Sequence, residues 1–192
     1  MVYQKMKITP DILKFFLSQT DLCYSNYTIH YSWWKTRFRV MEAFRQFIQS
    51  QNKTSIRVFD IGFGYGHNLF LMAKEFNSKD IRFFGIDINL DYVEYVKKRA
   101  DYEGYSNIIE VCQGDIQELA ERFSPATFDF IVCSEVIEHL QDPRKAILDC
   151  SRLLAPGGWV VITTPNARNA ISKLAGSLRL KRKQCEASGP IK

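Results

Sequence analysis

Two hydrophobic periods alternate along the chain. Short apolar runs at 57–61, 82–86, 108–112, 129–133 and 158–163 have the length and the β-branched or aromatic character of buried strands. Between them, apolar residues recur at helical spacing: Leu69, Phe70, Met72, Ala73 and Phe76 within 67–77, and Leu90, Val93, Val96 and Ala100 within 89–100. A third helix, 142–155, carries its own boundaries. Asp142 can cap it, Pro143 suits its first turn, Ala146, Ile147, Cys150, Leu153 and Leu154 form one stripe, and "PGG" stops it. Upstream, Trp34, Phe38, Met41, Phe44 and Ile48 share one face of a helix predicted over 33–48.

Strands joined by helical crossovers form a mostly parallel sheet covered on both faces, and such sheets bind ligands at the carboxyl ends of their strands. The residues just past the strand runs therefore matter most: the glycine loop after 57–61, Asp87, Gly114 with Asp115, and Ser134 with Glu135. All are expected on one rim. Residues 1–30 read as an N-terminal arm, 31–166 as the ligand-binding domain, and 167–192 as a helix with a polar tail.

Length and composition narrow the class. A chain of 192 residues, 46% hydrophobic, builds one core without staples. The apolar runs fall far short of the roughly 20 residues that span a bilayer, and the first residues do not read as a secretory signal, so a cytoplasmic protein is expected. The five cysteines, Cys23, Cys112, Cys133, Cys150 and Cys185, contain no Cys-x-x-Cys pair and read as buried free thiols. The net charge of +5 lies partly in "RLKRK" at 179–183, which reads as a solvated helix end, with an anionic substrate, a membrane surface or RNA as alternatives.

In "VFDIGFGYGHN", residues 58–68, glycines at 62, 64 and 66 follow an apolar strand and open a helix. Glycine permits close approach, and the helix start offers unsatisfied N–H groups, so a ligand laid against this turn is expected. Asp87 ends the second strand run 21 positions after Gly66, a spacing suited to an acid that accepts hydrogen bonds from ribose hydroxyls. Gly114-Asp115-Ile116 then offers an acid for an exocyclic amine and an apolar contact for a purine.

Together "VFDIGFGYGHN", "FFGIDIN", "VCQGDI", "FDFIVCSEVIEHLQDP" and "LLAPGGWVVITTPN" resemble, in order and spacing, the class I S-adenosylmethionine-dependent methyltransferases over roughly residues 55–166. "EVIEHLQDP" and "TTPN" are similar to the subgroup that includes ubiquinone-biosynthesis O-methyltransferases. The resemblance implies an α/β fold: a Rossmann-like, doubly wound, mostly parallel sheet in three α/β/α layers. It implies S-adenosyl-L-methionine as cofactor, its methionine part lined by Asp60, Gly62, Gly64 and Gly66, its ribose by Asp87 with Ile88, and its adenine by Asp115 and Ile116. Ser134 and Glu135 would flank the point of methyl transfer. "HYSWWKTRFRV" is similar to a Trp-Trp/Arg helix of that subgroup, which makes Arg37 or Arg39 a partner for the cofactor carboxylate.

The reaction so implied is an in-line displacement that depends chiefly on alignment. Phe63, Tyr65, Tyr27 or Trp33 could face the sulfonium, with packing as the alternative role. A hydroxyl acceptor must shed a proton; His139, just beyond the fourth strand, is the candidate base with Glu135 beside the acceptor, and a capping histidine is the other reading. Glu135, Glu138 and His139 also resemble part of the metal site of small-RNA 2′-O-methyltransferases, but the sequence has no histidine after 139 to complete it, and an oxygen-rich magnesium site is left open.

The expected acceptor is a small molecule, a glycan, lipid or quinone-like precursor, rather than nucleic acid. The family fold carries two further strands after "VVITTPN". Their expected lack would leave Trp159–Thr164 as an apolar edge and favour association through that edge, with a homo-oligomer as one form. A cofactor-binding module without activity and an RNA methyltransferase are the alternatives. A nicotinamide enzyme fits less well, because Gly62-x-Gly64-x-Gly66 is not the dinucleotide G-x-G-x-x-G.

Overall fold

The computed structural model describes residues 31–77 and 80–164, with side chains from residue 36 onward. The chain divides into compact units at 1–35 and 36–192, and the second unit holds the whole of the sheet. The arm at 1–30, the tail at 167–192 with "RLKRK", and Tyr27, Cys23 and Cys185 lie outside the described residues, as do the side chains of Trp33 and Trp34.

Strands and helices alternate along the described residues. Helix α1 spans Tyr31–Ser50 and is followed by β1 (Ser55–Ile61), α2 (His67–Glu75), β2 (Asp80–Asp87), α3 (Leu90–Glu103) and β3 (Ile109–Gln113). A 3₁₀ turn at Ile116–Glu118 leads into the short α4 (Leu119–Arg122); then come β4 (Phe128–Ser134), a second 3₁₀ turn (Ile137–His139), α5 (Pro143–Leu153) and β5 (Leu154–Thr163). The strands form one parallel sheet in the order β3-β2-β1-β4-β5. This is the doubly wound arrangement that the alternating pattern predicts.

Register assigns each side chain to a layer. Val58 pairs with Phe83 on one side and Phe130 on the other, so these three side chains face the same way. Phe44 of α1 meets that row, its ring edge-on to Phe130 at 5.0 Å and to Phe76 at 5.1 Å. On the opposite face Phe59 stacks on Phe128 at 4.4 Å above Leu119, Ala146, Cys150 and Leu153. Burying strand side chains on both faces is what demands a helix layer on each.

The caps follow the local chemistry. Asn89 accepts from the Asp91 N–H to start α3, and Gly104, in the left-handed region, ends it. Asp142 accepts from the Lys145 N–H with Pro143 in the first turn of α5, as the sequence predicts.

Two expectations change. Helix α5 stops at Leu153, before "PGG", because Leu154 already pairs with Phe128 in the sheet. The next pair is Phe130 with Trp159, so the "PGG" residues are absorbed in a bulge of β5, where Gly157 takes φ 78°. Cys133 and Cys150 are buried as expected, but Cys112 is exposed, because β3 lies at the sheet edge and ends in two exposed positions. At the other edge, among the described residues β5 pairs only with β4, and Trp159 and Val160 are each 38% exposed. No helix among the described residues is long and apolar enough to cross a membrane.

Phe44 is fully buried at the junction of α1, α2 and the sheet. Its replacement by alanine is expected to cost about 3–5 kcal/mol in urea denaturation, with Phe44→Leu losing clearly less because most of the volume is kept.

Candidate functional site

The carboxyl ends of the strands bring together the rim that the sequence predicts. At its centre the glycine turn after β1 is held by backbone bonds: the Gly62 N–H donates to the Ile86 carbonyl at 2.8 Å, and the Gly66 N–H to that of Phe63 at 2.9 Å. All three glycines have positive φ, 66°, 54° and 71°. Their reasons for lacking a side chain differ. A Cβ on Gly62 would overlap the Val136 side chain, and one on Gly66 would lie 2.8 Å from Val96 and 3.1 Å from Phe70. Only at Gly64 would a Cβ enter open space. Two of the glycines therefore answer to internal packing, and the third borders open space.

The Gly64 N–H donates to Oδ2 of Asp87 at 2.8 Å, and the Asn89 N–H donates to Oδ1 at 2.9 Å. Asp87 thus clamps the glycine turn to the end of β2, while each carboxylate oxygen keeps a further lone pair for an incoming donor. The next residue, Ile88, is 69% exposed, and its carbonyl accepts from the Gln113 amide. Tyr65 and Tyr92 pack beside this clamp with ring centroids 4.7 Å apart. The Tyr92 phenol is raised above its usual range, first by burial and then by the Tyr65 hydroxyl.

Asp60 lies on the same face of the sheet as Asp87, since it pairs with Gly85 two residues before Asp87. It is 1% exposed, has Asn68 as hydrogen-bond partner, and its Oδ2 has none among the described residues. Burial, followed by the Asp87 charge, pushes its pKa up to about 8. Asn68 Oδ1 is likewise buried without a partner among the described residues. His67, at the first position of α2, is held down to about 3 by burial, with Arg37 and Arg99 adding to the effect. Arg37 therefore lies near enough to the head of α2 to be felt there, whereas Arg39 is exposed.

The far side of the rim is cross-linked differently. Ser134 and Thr163 share a hydroxyl hydrogen bond of 2.8 Å between the ends of β4 and β5, and the Glu135 N–H donates to the Thr163 carbonyl at 2.9 Å. Glu135 takes φ 58°, a strained value for a residue with a side chain, and its carboxyl is raised chiefly by burial. Glu138 Oε2 is buried without a partner among the described residues. His139 is on the same loop, 77% exposed, with Nε2 3.9 Å from Glu138 Oε1. Among the described residues no three His, Cys, Asp or Glu side chains converge on a point where a metal ion could be held.

Local packing bears on three of the residues singled out in the sequence. Ile116 is 8% exposed and packs into the core with Ile86, Leu119 and Phe128, so its side chain offers little to a purine; Ile88 is the open apolar surface. Asp115 caps the following 3₁₀ turn through the Gln117 N–H at 2.8 Å, which occupies one oxygen of its carboxylate. Phe63 is buried beneath Gly85 and packs there rather than facing a cation. His67, Asn68, Tyr92 and Val136 also lie at or beside this rim and were not singled out from the sequence. The first two were signalled by their place directly after the glycines; Val136 had no local signal.

Residues 52–188 match the family model described as a methyltransferase domain, and the chain belongs to this family. The ubiquinone biosynthesis O-methyltransferase of Paracidovorax citrulli is 36% identical over 114 residues, 59% of this chain and 45% of that protein. Its counterpart in Thiobacillus denitrificans is 31% identical over 118 residues, 62% and 47% respectively. The chain spans about half the length of these curated relatives. Among solved structures, a SAM-dependent methyltransferase from Aquifex aeolicus superposes with a TM-score of 0.54 at 21% identity, covering 64% of this chain and 62% of that one. The Haemonchus contortus phosphoethanolamine N-methyltransferase 2, in complex with S-adenosyl-L-methionine, gives 0.56 at 26% identity, covering 67% and 27%.

The glycines separate by experiment. Gly62→Ala is expected to lower the melting temperature markedly through the Val136 overlap and the positive φ, whereas Gly64→Ala carries only the backbone penalty of about 1 kcal/mol and its main effect is expected on ligand affinity. Thermal melts with ligand titration distinguish the two. The empty protein should also lose stability as pH rises. Asp60 keeps its proton in the folded state up to about 8 but loses it near its ordinary value when unfolded, so stability falls between those limits. His67 acts oppositely only below its unfolded value of 6.5. Melts from pH 6.5 to 8 should therefore show an unopposed decline that Asp60→Asn flattens.

Proposed function

We propose that residues 31–166 act as an S-adenosyl-L-methionine-dependent methyltransferase domain that O-methylates a small molecule, with a quinone-like precursor first among the candidates. One observation carries this reading: beside Gly64, where a side chain would meet open space, the strand ends carry two carboxylates on the same face of the sheet, Asp60 and Asp87, one of them with an unpartnered oxygen among the described residues. The residues present fit the cofactor. Orphaned acceptors Asp60 Oδ2 and Asn68 Oδ1 suit a ligand that brings hydrogen-bond donors, and Asp87 retains lone pairs for a ribose. The relatives named as ubiquinone biosynthesis O-methyltransferases support the acceptor class.

When bound, the cofactor supplies an electrophilic methyl group on a sulfonium. The chain's own work is placement. Asp87 takes the ribose hydroxyls, Ile88 offers an apolar wall to the adenine with Asp115 at its edge, and Asp60 with the glycine turn holds the methionine part. Arg37, near the head of α2, suits the carboxylate of that part. Ser134 and Glu135, tied to Thr163, frame the acceptor side. His139 accepts the hydroxyl proton of the acceptor, with Glu138 near its ring. A cytoplasmic location agrees with the buried free thiols Cys133 and Cys150.

Transfer of a radiolabelled methyl group into fractionated lysate or a catechol-like acceptor tests the activity; binding of S-adenosylhomocysteine without any transfer would favour the module that binds but does not react. Asp87→Asn is the milder site variant, because alanine would strand both the Gly64 and Asn89 N–H groups, whereas the amide oxygen can still accept from one of them. It is expected to weaken S-adenosylhomocysteine at least tenfold in calorimetry with a melting temperature lowered less than in Asp87→Ala, and unchanged affinity would remove Asp87 from the ribose contact.

A further inference from the structure

Asp60 combines features that a merely structural carboxyl does not need. It is almost wholly enclosed, its Oδ2 has no partner among the described residues, and it stands at the turn whose middle glycine opens outward. The groups that face it come from three elements. Asp87 on β2 shares its face of the sheet, Asn68 on α2 supplies an amide, and Val132, its register partner on β4, supplies only an apolar side chain. None of these three is a cation. Two carboxylates at one end of a sheet, only one of them held by backbone N–H groups, cannot both carry charge cheaply in a buried setting.

The arrangement changes when a positive group arrives. An ammonium near Asp60 Oδ2 gives that oxygen its missing partner and favours the carboxylate over the acid. We propose that ligand uptake is proton-linked: Asp60 is an acid in the empty protein and releases its proton to solvent when the ammonium of an amino-acid-bearing nucleoside enters the glycine turn. The step is acid dissociation alone; the O–H bond of Asp60 breaks, the electron pair stays on the oxygen, and no other bond changes. This rests on the cofactor reading above and adds to it a selection for ligands that carry the amino-acid part.

The sign follows from the empty state. Burial and the Asp87 charge keep Asp60 protonated up to about pH 8. Below that pH, binding must expel a proton, so affinity rises with pH by up to about tenfold per unit and the rise ends near 8.

Calorimetry in two buffers of different ionisation enthalpy at about pH 7 counts the protons. S-adenosylhomocysteine should release close to one proton from the wild-type chain, and 5′-methylthioadenosine, which lacks the amino-acid part, close to none. Asp60→Asn should abolish the release; its retained binding of 5′-methylthioadenosine shows that the variant is folded. S-adenosylhomocysteine binding with no proton release in the wild type, or the same release in Asp60→Asn, overturns the proposal while leaving the cofactor assignment intact. Failure of both ligands to bind at any pH from about 6 to 9 overturns the assignment and the proposal together.

Discussion

A single hydrogen bond organises the rim: the Gly64 N–H donating to Asp87 Oδ2. With the Gly62 N–H bond to the Ile86 carbonyl, it joins the turn after β1 to the end of β2, Gly64 and Asp87 lying 23 positions apart. The bond forms because parallel pairing runs in register up to Ile61 and Ile86, delivering both strand ends to the same height. The Gly62 N–H bond to the Ile86 carbonyl then extends the ladder into the turn, and the Gly114 N–H bond to the Asp87 carbonyl brings in the loop after β3. Gly64 holds a positive φ in this clamp, a conformation that glycine adopts at the least cost.

Electrostatics follow from this clamp. Asp87 receives two backbone N–H groups, whereas Asp60, on the same face, receives one side-chain amide and is almost wholly buried. Identical side chains at one strand end thus differ in what their surroundings supply. The difference is inherited from geometry, since Asp87 sits at the last strand residue where loop amides converge and Asp60 sits one residue inside its strand. An interior strand position leaves only side chains to satisfy a carboxyl, and Oδ2 is left over among the described residues. The asymmetry gives one rim both a ready acceptor and a group whose charge depends on what is bound.

Most of the fold was legible because its signals are local. Apolar runs with period two or without a period marked all five strands of the sheet, and Asp142 with Pro143 marked the start of α5. What escaped depends on contacts between distant segments. Gly62 and Gly66 read as ligand contacts, yet Val136, Val96 and Phe70 occupy the space beside them. Ile116 has the composition of a surface contact but packs inward against Leu119 and Phe128. "PGG" read as a helix stop, and in the sheet it is a bulge, because Leu154 finds a strand partner in Phe128 before the glycines are reached. None of these outcomes changes the local pattern, so none could be read from it.

The two sides of the rim are built to different tolerances. On the β1-β2 side, backbone bonds among Gly62, Gly64, Ile86, Asp87 and Gly114 set the geometry, and side chains other than Asp87 contribute little to it. On the β4-β5 side, the links are side-chain hydroxyls, the strained backbone of Glu135 and the exposed ring of His139. Val136 is the joint between them, since its side chain fills the space that Gly62 leaves bare. Backbone contacts survive most substitutions and side-chain contacts do not. The half suited to a common ligand is therefore the half least able to drift, and the half facing the acceptor can be rewritten residue by residue on the same sheet. A strained, partly buried carboxyl at Glu135 is consistent with that division, because the rigid side anchored through Val136 can hold a conformation that an isolated loop would relax.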